Sequence, residues 1–486
     1  MTLPGQTFTI IDPGMGTVQP LTNVPLVMGI TSSGTSATLT SVNSIATLVS
    51  TFGYGPAVDI AAAILERAGG PIWFCKVAES SGGDVSAIVK VGSHTDPDIT
   101  DNSSAPYNDY ECVLNILSDG ALGVARYEYS LDGGRTFSPS LLTPSGGALT
   151  IPNTGIVLTM AAGTYGYHAG NSYTFTTSSP DYTSTQLALC KTAIDAAGAG
   201  CQFDWVVLAG KHATASAANT IAGVLAGYLD SWETKFRFVR AMMDAGSTDT
   251  AANVASTVTT EDQRLMAVYG TADTAISNPQ TGRSQPSVPA LLHTAVRAAS
   301  RPISEHLGRV ATGSLAGVAG YSTEFGAGIS HDEATAATPL DDSKFATLRT
   351  FQQLTGYYIT RANLRCPVGS DFRRWELGRV FDAGLKVVYQ QQQAAVNRTF
   401  RTNADGTIYE ADAAAFEAMV NAALKQTLLQ PTNSEGTKGH VSAVSYTVDR
   451  TEVINLTNTL RAQLAIRPLG YSEYIATTAS MQLQVA

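Results

Sequence analysis

The pattern of apolar and polar positions is sharpest between Asn23 and Val77. Val24–Ile30 is an unbroken apolar run closed by a Thr/Ser turn, the signature of a buried strand. Ile45, Leu48, Val49 and Phe52 then recur at i, i+3, i+4 and i+7, which predicts a helix capped by Ser41 and stopped by Gly53 and Gly55. A second helix is expected after Pro56, with Asp59 in its first turn, Ile60, Ala61, Ile64 and Leu65 on one face, and Gly69-Gly70 at its end. Trp73–Val77 reads as the next strand. Strand, helix pair, strand is a βαβ-type opening onto which later elements build one sheet.

The period changes after Val77. Residues 84–180 carry short alternating runs at 111–117, 125–131, 149–151, 156–160 and 173–177, separated by turn signals such as Asp119-Gly120, Asp132-Gly133-Gly134 and Ser145-Gly146-Gly147. This predicts an inserted antiparallel β domain, sandwich or barrel, with a hairpin over Ser130–Phe137 turning at Asp132-Gly133-Gly134. From Thr183 the α/β pattern resumes. Helices over 184–197, 215–232, 250–258 and 288–299 alternate with strands over 203–208, 236–241 and 265–269, as in a mostly parallel sheet covered by helices. Residues 299–328 are glycine-crowded and loop-like. A C-terminal domain is expected from about Ser330. Its long helix, 371–397, carries Leu377, Val380, Phe381, Leu385 and Val388 on one face; a second helix carries Phe416, Val420, Leu424 and Leu428 and stops at Pro431.

Two alternating strands follow, at Val444, Tyr446 and Val448 and at Leu460, Ala462, Leu464 and Ile466. Past Pro468 and Gly470, Ile475, Thr477, Ala479, Met481, Leu483 and Val485 point to one side of a further strand. Such a strand needs a sheet edge for its main-chain groups. At the other end, Phe8 and Ile10 mark weak alternation, either an extended arm or a frayed terminus. The fold class expected is multi-domain α/β: an N-terminal arm (1–22), a helix-covered mixed-sheet domain (23–83 and 181–329), an inserted antiparallel β domain (84–180), a C-terminal α/β domain (330–468) and a C-terminal strand arm (469–486).

Composition narrows the function classes. Of 486 residues, 44% are hydrophobic and 14% charged, which describes globular domains whose surface is largely neutral. A net charge of -10 argues against a nucleic-acid binder. The charge is uneven: 14 Lys/Arg face 11 Asp/Glu in residues 345–486, against 16 and 29 in residues 1–344, so one part is suited to an acidic partner. Five scattered cysteines without a CxxC pair support neither a metal site nor a disulfide framework, and Cys75 reads as a core thiol. Neither a signal peptide nor a membrane-spanning run is apparent, so synthesis in a cytoplasm is expected.

Catalytic signatures are missing. The chain has no GxxxxGK[ST] loop, no GxGxxG after a strand, no HExxH and no GxSxG. Gly326-Ala327-Gly328 lacks a third glycine and reads as a connector. His94-Thr95-Asp96-Pro97-Asp98 holds metal-ligand types but reads as a solvated acidic turn. His440, Ser442 and Asp449 lie on or beside one strand, where a triad would need tertiary convergence. Arg373, Arg374 and Arg379 are either a solvated helix face or a patch that docks on an acidic surface. No catalytic, cofactor-binding or metal residue is expected.

The ordered stretches "NVPLVMGITSSG", "LTSVNSIATLVSTFGYG" and "AAAILERAGGPIWFCKV" resemble the opening of contractile phage tail sheath proteins. "FRRWELGRVFDAGLKVVYQQQQAAVNRTF" followed by "AVSYTVDRTEVINLTNTLRAQLAIRPLGYSEYIATTASMQLQV" resembles their C-terminal domain, and "YEYSLDGGRTFSPSLLTPSGGALTIPNTGIVLTM" an inserted β domain of sheath-like proteins. The resemblance implies a non-enzymatic structural subunit, made in the host cytoplasm and resident in the virion tail, that polymerises helically with itself around an inner tail tube. It implies arms that add strands to neighbouring subunits, here Phe8 and Ile10 and the 475–485 strand, and tube-facing candidates Arg373, Arg374 and Arg379. Tube, baseplate and tail terminator proteins are the implied partners; nucleic acid, membrane and cofactor are not. The alternative is an α/β enzyme or ligand-binding protein with an accessory β domain.

Overall fold

The computed structural model describes residues 23–210, 212, 214–246, 249–274, 287–321, 340–367, 369–433 and 436–473. The chain is a mixed α/β protein of several sheets. Its described residues divide into two compact units, 23–379 and 380–473.

The first unit opens with β1 (Pro25–Gly29), β2 (Leu39–Val42), α1 (Ile45–Phe52), α2 (Pro56–Ala68) and β3 (Ile72–Lys76). One expectation is corrected here. Residues 39–42 are an edge strand antiparallel to β3, with Ser41 opposite Trp73, and the helix is capped three residues later by Ser44, whose Oγ accepts from Thr47 N. The 3.6-residue period holds only from Ile45; the Leu-Thr-Ser-Val run before it suits a pleated edge better than a first helical turn. Gly53 closes α1 at positive φ, donating to Val49 O.

The inserted strands are β4 (Asp84–Val85), β5 (Val89–Val91), β6 (Ile99–Asp101), β7 (Glu111–Ser118), β8 (Arg126–Ser130), β9 (Leu141–Leu142), β10 (Ala148–Ile151), β11 (Ile156–Met160) and β12 (Ser172–Ser178). They form an antiparallel sheet, β4-β12-β7-β8-β9 with β5 also on β12, and a second one, β10-β11-β6. Inward positions alternate along them: Cys112, Leu114 and Ile116 on β7, Tyr173 and Phe175 on β12, Ile156, Leu158 and Met160 on β11 share one core. The Asp132-Gly133-Gly134 turn is held by the Asp132 carboxylate, which accepts from Arg135 N, Thr136 N and Thr136 Oγ1, and the chain then runs on to pair Leu141–Leu142 with β8. The two roots of the insertion are clamped together, since Ser80 N and Ser81 N donate to Asp181 O and Asp181 N returns a bond to Ser81 O.

After the insertion come α3 (Ser184–Ala197), β13 (Trp205–Leu208), α4 (Ala215–Glu233), β14 (Arg240–Asp244), α5 (Ala251–Thr257) and β15 (Leu265–Val268). Thr183, Thr214 and Thr250 begin the three helices; Thr214 and Thr250 accept from the main chain of the first turn, and Thr183 closes a capping box with Gln186. The strand expected at 236–241 starts four residues later. Phe236 has φ +59 and is exposed, ending the turn that follows α4. The main sheet runs β15-β14-β13-β1-β3-β2, parallel except for β2. Val27, Val207, Met242 and Met266 face the layer with α1, α2 and α6, while Leu26, Met28, Val206, Leu208, Ala241 and Met243 face α3, α4 and α5. Burial on both faces explains why β1 and β13 read as continuous apolar runs.

The unit continues with β16 (Thr271–Thr274), β17 (Ser287–Pro289), α6 (Ala290–Ser300), β18 (Val318–Tyr321), β19 (Leu348–Phe351) and β20 (Leu354–Ile359). Sheet β17-β16-β18 places a strand where the sequence suggested only a glycine-rich loop. Residues 340–379 pack with the main sheet: Ala346 bridges Val268, Phe345 and Leu348 enter its two cores, and the buried Arg365 guanidinium donates to the carbonyls of Val258, Thr260 and Ser343. Where a C-terminal domain was expected from about Ser330, the compact units divide inside α7 (Trp375–Gln393), after Arg379.

The second unit holds the rest of α7, α8 (Glu410–Leu424) with a π turn over Lys425–Leu429, β21 (Val441–Val448), α9 (Ile454–Thr457) and β22 (Ala462–Pro468). Phe416 stacks edge-on with Phe400 and Tyr446, each 6.0 Å between ring centroids. Gly384 lets Ile466 pack closely on α7: a Cβ there would lie 2.5 Å from Ile466 Cδ1, and the Ile466 side chain would have to shift.

Candidate assembly interface

The residues flagged for chemistry are engaged elsewhere. In an open α/β sheet a ligand is usually held at the C-terminal ends of the strands where the order reverses, here between β1 and β13. That crevice is packed. A Cβ on Gly29 would sit 2.9 Å from the Cβ atoms of both Ala57 and Ala209, and the buried Tyr182 covers Gly210 and donates to Ala209 O at 3.2 Å. His440 is buried, Ser442 Oγ donates to Pro468 O, and Asp449 accepts from Thr451 N and Oγ1, so the three are not arranged as a relay.

The His94–Asp98 turn differs from its solvated reading. Asp96 is buried, and its carboxylate accepts from His168 N at 3.0 Å and meets His168 Nδ1 at 2.6 Å, while the rings of His94 and His168 stack 4.9 Å apart. His168 lies 72 residues downstream, which is why local spacing missed it. Among the described residues, no group of three or more His, Cys, Asp or Glu is placed to hold a metal ion, and no helix is long and apolar enough to cross a membrane.

The arrangement with evident binding capacity is the sheet of the second unit. β21 and β22 pair antiparallel with Val444 opposite Ile466, Tyr446 opposite Leu464 and Val448 opposite Ala462. The outer edge of β21 is covered by α8: Asn421 bonds both the N–H and the C=O of Tyr446 at 2.8 Å, and Glu417 accepts from Val448 N at 2.6 Å. Arg450 holds Glu417 and Glu410 in place, and its hydrogen bond keeps the Glu417 carboxyl below the usual range. The other edge, β22, has no strand beyond it among the described residues. In this register the main-chain groups of Ala462, Leu464 and Ile466 face that open side, and Leu464 and Ile466 are half-buried beneath it. Such an edge is a template for strand addition.

The three candidate arginines are placed differently from one another. Arg373 is exposed, Arg374 is half-buried with Nη1 on Asn363 Oδ1, and Arg379 is buried, donating to Asn23 Oδ1 at 3.0 Å and lying over the Trp375 ring. They do not form one surface patch. The arm candidates Phe8, Ile10, Ile475, Thr477, Ala479, Met481, Leu483 and Val485 lie outside the described residues.

A family model described as DUF2586, N-terminal domain, matches residues 3–363, about three quarters of the chain. The chain belongs to the DUF2586 family. Among solved structures, this DUF2586 protein is similar to a chain of the contracted PVC sheath complex of an extracellular contractile injection system, at 11% identity and TM-score 0.51, over 99% of this chain and 98% of that one. It is similar to a chain of the anti-feeding prophage baseplate at 11% identity and TM-score 0.51, over 99% and 100%. A sheath tail protein from Desulfitobacterium hafniense aligns at 9% identity and TM-score 0.46, over 96% and 100%. No curated protein matches by sequence. At these identities the likeness is one of fold, and this DUF2586 protein has the fold of contractile-sheath chains.

Proposed function

We propose that the chain is a structural subunit of a contractile tail sheath or a related injection device, polymerising helically around an inner tube. The observation that carries the reading is the edge of β22, which pairs with no further strand among the described residues, in a chain whose fold is similar to that of a chain from a contracted sheath complex over 99% of its length. One edge of that small sheet is sealed by α8 side chains, and the other offers alternating donors and acceptors above two half-buried apolar side chains. Residues 474–485 of a neighbouring copy supply the matching strand: Ile475, Thr477, Ala479, Met481, Leu483 and Val485 on one side, and neither proline nor charge. The segment around Phe8 and Ile10 is the second exchanged arm. A contact that joins different surfaces of successive copies does not close, and so propagates as a helical array.

Contraction is then a rigid-body rearrangement of subunits, with the arms keeping neighbours connected. The product is a particle tail, with tube and baseplate proteins as the further partners. Deleting residues 471–486 tests the reading: the expected product is a folded protein that forms no tubes under negative-stain electron microscopy. Tubes of normal length from the truncated chain would refute the arm assignment.

A further inference from the structure

The main sheet has two edges, and the chain treats them differently. Beyond β15, Ala346 N donates to Ala267 O, Tyr269 N to Ala346 O and Arg365 N to Leu265 O, so that edge is closed by the chain between Phe345 and Arg365. Beyond β2 there is no strand among the described residues. Val77 N donates to Gly29 O while Lys76 O accepts from Ala37 N, so alternate residues of β3 turn their main-chain groups to β1 and to β2, with Ile72 and Phe74 facing β2. Their partners there are Val42 and Thr40. Leu39 and Ser41 therefore present their N–H and C=O groups outwards. Exposed edges are commonly blunted by a charge, a proline or a bulge, and Leu39–Val42 has none of these. The surroundings are equally neutral. No Asp, Glu, Lys or Arg occurs from Asn23 to Val58, and the exposed side of α1 is Ala46, Thr47, Ser50 and Thr51. On the other face of the sheet α3 packs against β2 and shows Thr185, Ala188, Leu189 and Thr192 to solvent, while its Lys191 and Asp195 pair with each other at 2.8 Å.

We propose that β2 is a self-association edge, through which the main sheets of two copies of this chain join about a two-fold axis, with α1 and α3 of each copy flanking the seam. A surface that meets its own copy brings like charges together, at a cost of several kcal/mol, so it has to be free of unpaired charge. That requirement is met along α1, β2 and α3, and it singles out a second copy as the occupant, because a different partner could be matched by opposite charge. In antiparallel pairing, Leu39 of one copy exchanges both main-chain bonds with Ser41 of the other. Thr40 then meets its own counterpart at the axis as a non-hydrogen-bonded pair, with Cα atoms about 4.5 Å apart. The four-residue strand is short, so the flanking helices carry most of the buried surface. This contact closes at two copies, unlike the head-to-tail exchange of arms, and forms whether or not arms are exchanged.

Thr40→Cys in the full chain reads the seam directly, because the five native cysteines are buried and position 40 meets itself only across a two-fold. Under mild oxidation by glutathione disulfide the expected product is a covalent dimer whose non-reducing peptide map links the two substituted positions. Thr220→Cys, exposed on α4 away from this edge, should give at least about tenfold less dimer. Adding Ser41→Pro to Thr40→Cys removes an N–H that points outwards, so the pairing with β3 is kept while each copy loses one bond across the seam. At about 1 kcal/mol for each lost bond, the dimer should fall by about tenfold or more, with the fold checked by circular dichroism. Loss of tubes bears on the arms and leaves this seam untouched. No dimer from Thr40→Cys with its thiol alkylatable in the native protein, comparable dimer from Thr220→Cys, or dimer undiminished by Ser41→Pro in a folded chain would each overturn the proposal. Comparison of positions 40 and 220 decides it even if the proline variant fails to fold.

Discussion

His293 makes the first unit sensitive to acid, by an amount that follows from where α6 lies. The helix packs on α2, and His293 is buried with its Nε2 lacking a hydrogen-bond partner and Arg67 of α2 as the neighbouring charge. Loss of solvation, with a smaller contribution from the Arg67 guanidinium, pushes its imidazole down from 6.5 to about 4. The unfolded chain therefore takes up a proton below 6.5 that the folded chain refuses until about 4. Stability is fully present above pH 6.5 and is lost as pH falls through that window. At about 1.4 kcal/mol per tenfold difference in proton affinity, the loss amounts to about 3 kcal/mol by pH 4. His212 and His440 are held down by burial in the same way, so the perturbation must isolate one site. His293→Leu does so by removing the titration while keeping an apolar side chain of similar bulk. Guanidinium unfolding followed by tryptophan fluorescence is the assay, since Trp73, Trp205, Trp232 and Trp375 all lie in the first unit. Between pH 7.5 and 4.5 the variant should lose markedly less stability than the parent, whatever its constant offset. Parallel stability curves for the two proteins would refute the reasoning.

Gly29→Ala should cost about 1–3 kcal/mol in the same unfolding assay, because the added methyl meets Ala57 and Ala209 in the packed crevice; an unchanged midpoint would show that the crevice yields. Replacing residues 84–180 with a short Gly/Ser linker should leave a soluble, polymerising protein, since Ser80 and Ser81 already hold Asp181; loss of tubes with the remaining fold intact by circular dichroism would count against it. Arg373→Glu should weaken co-sedimentation with tube protein at low salt and do so less at high salt, whereas equal co-sedimentation at low salt would remove Arg373 from the tube-facing surface.

Local periodicity carries the identity of single elements, because a side chain's face is set by the backbone repeat it sits on. The sequence therefore determined the buried strand at Val24–Ile30, the helices that begin at Pro56 and Thr183, the short antiparallel strands after Val77 and the inward stripe of Phe416, Val420, Leu424 and Leu428. It misread the Leu39–Val42 edge strand, because four residues satisfy a helix start and a strand equally well until a partner strand is present. What only the tertiary structure decided is adjacency across long separations. His168 reaches Asp96, Cys190 Sγ reaches Lys76 O, and Arg365 anchors on three carbonyls between Val258 and Ser343. The turn of α7 that buries Arg379 against Asn23 also separates it from the exposed Arg373, though the sequence sets the two six residues apart. The same holds for the edge of β22. Its alternation marks a strand, but which edge is sealed depends on Asn421 and Glu417 arriving from α8, a contact that no period within the strand encodes.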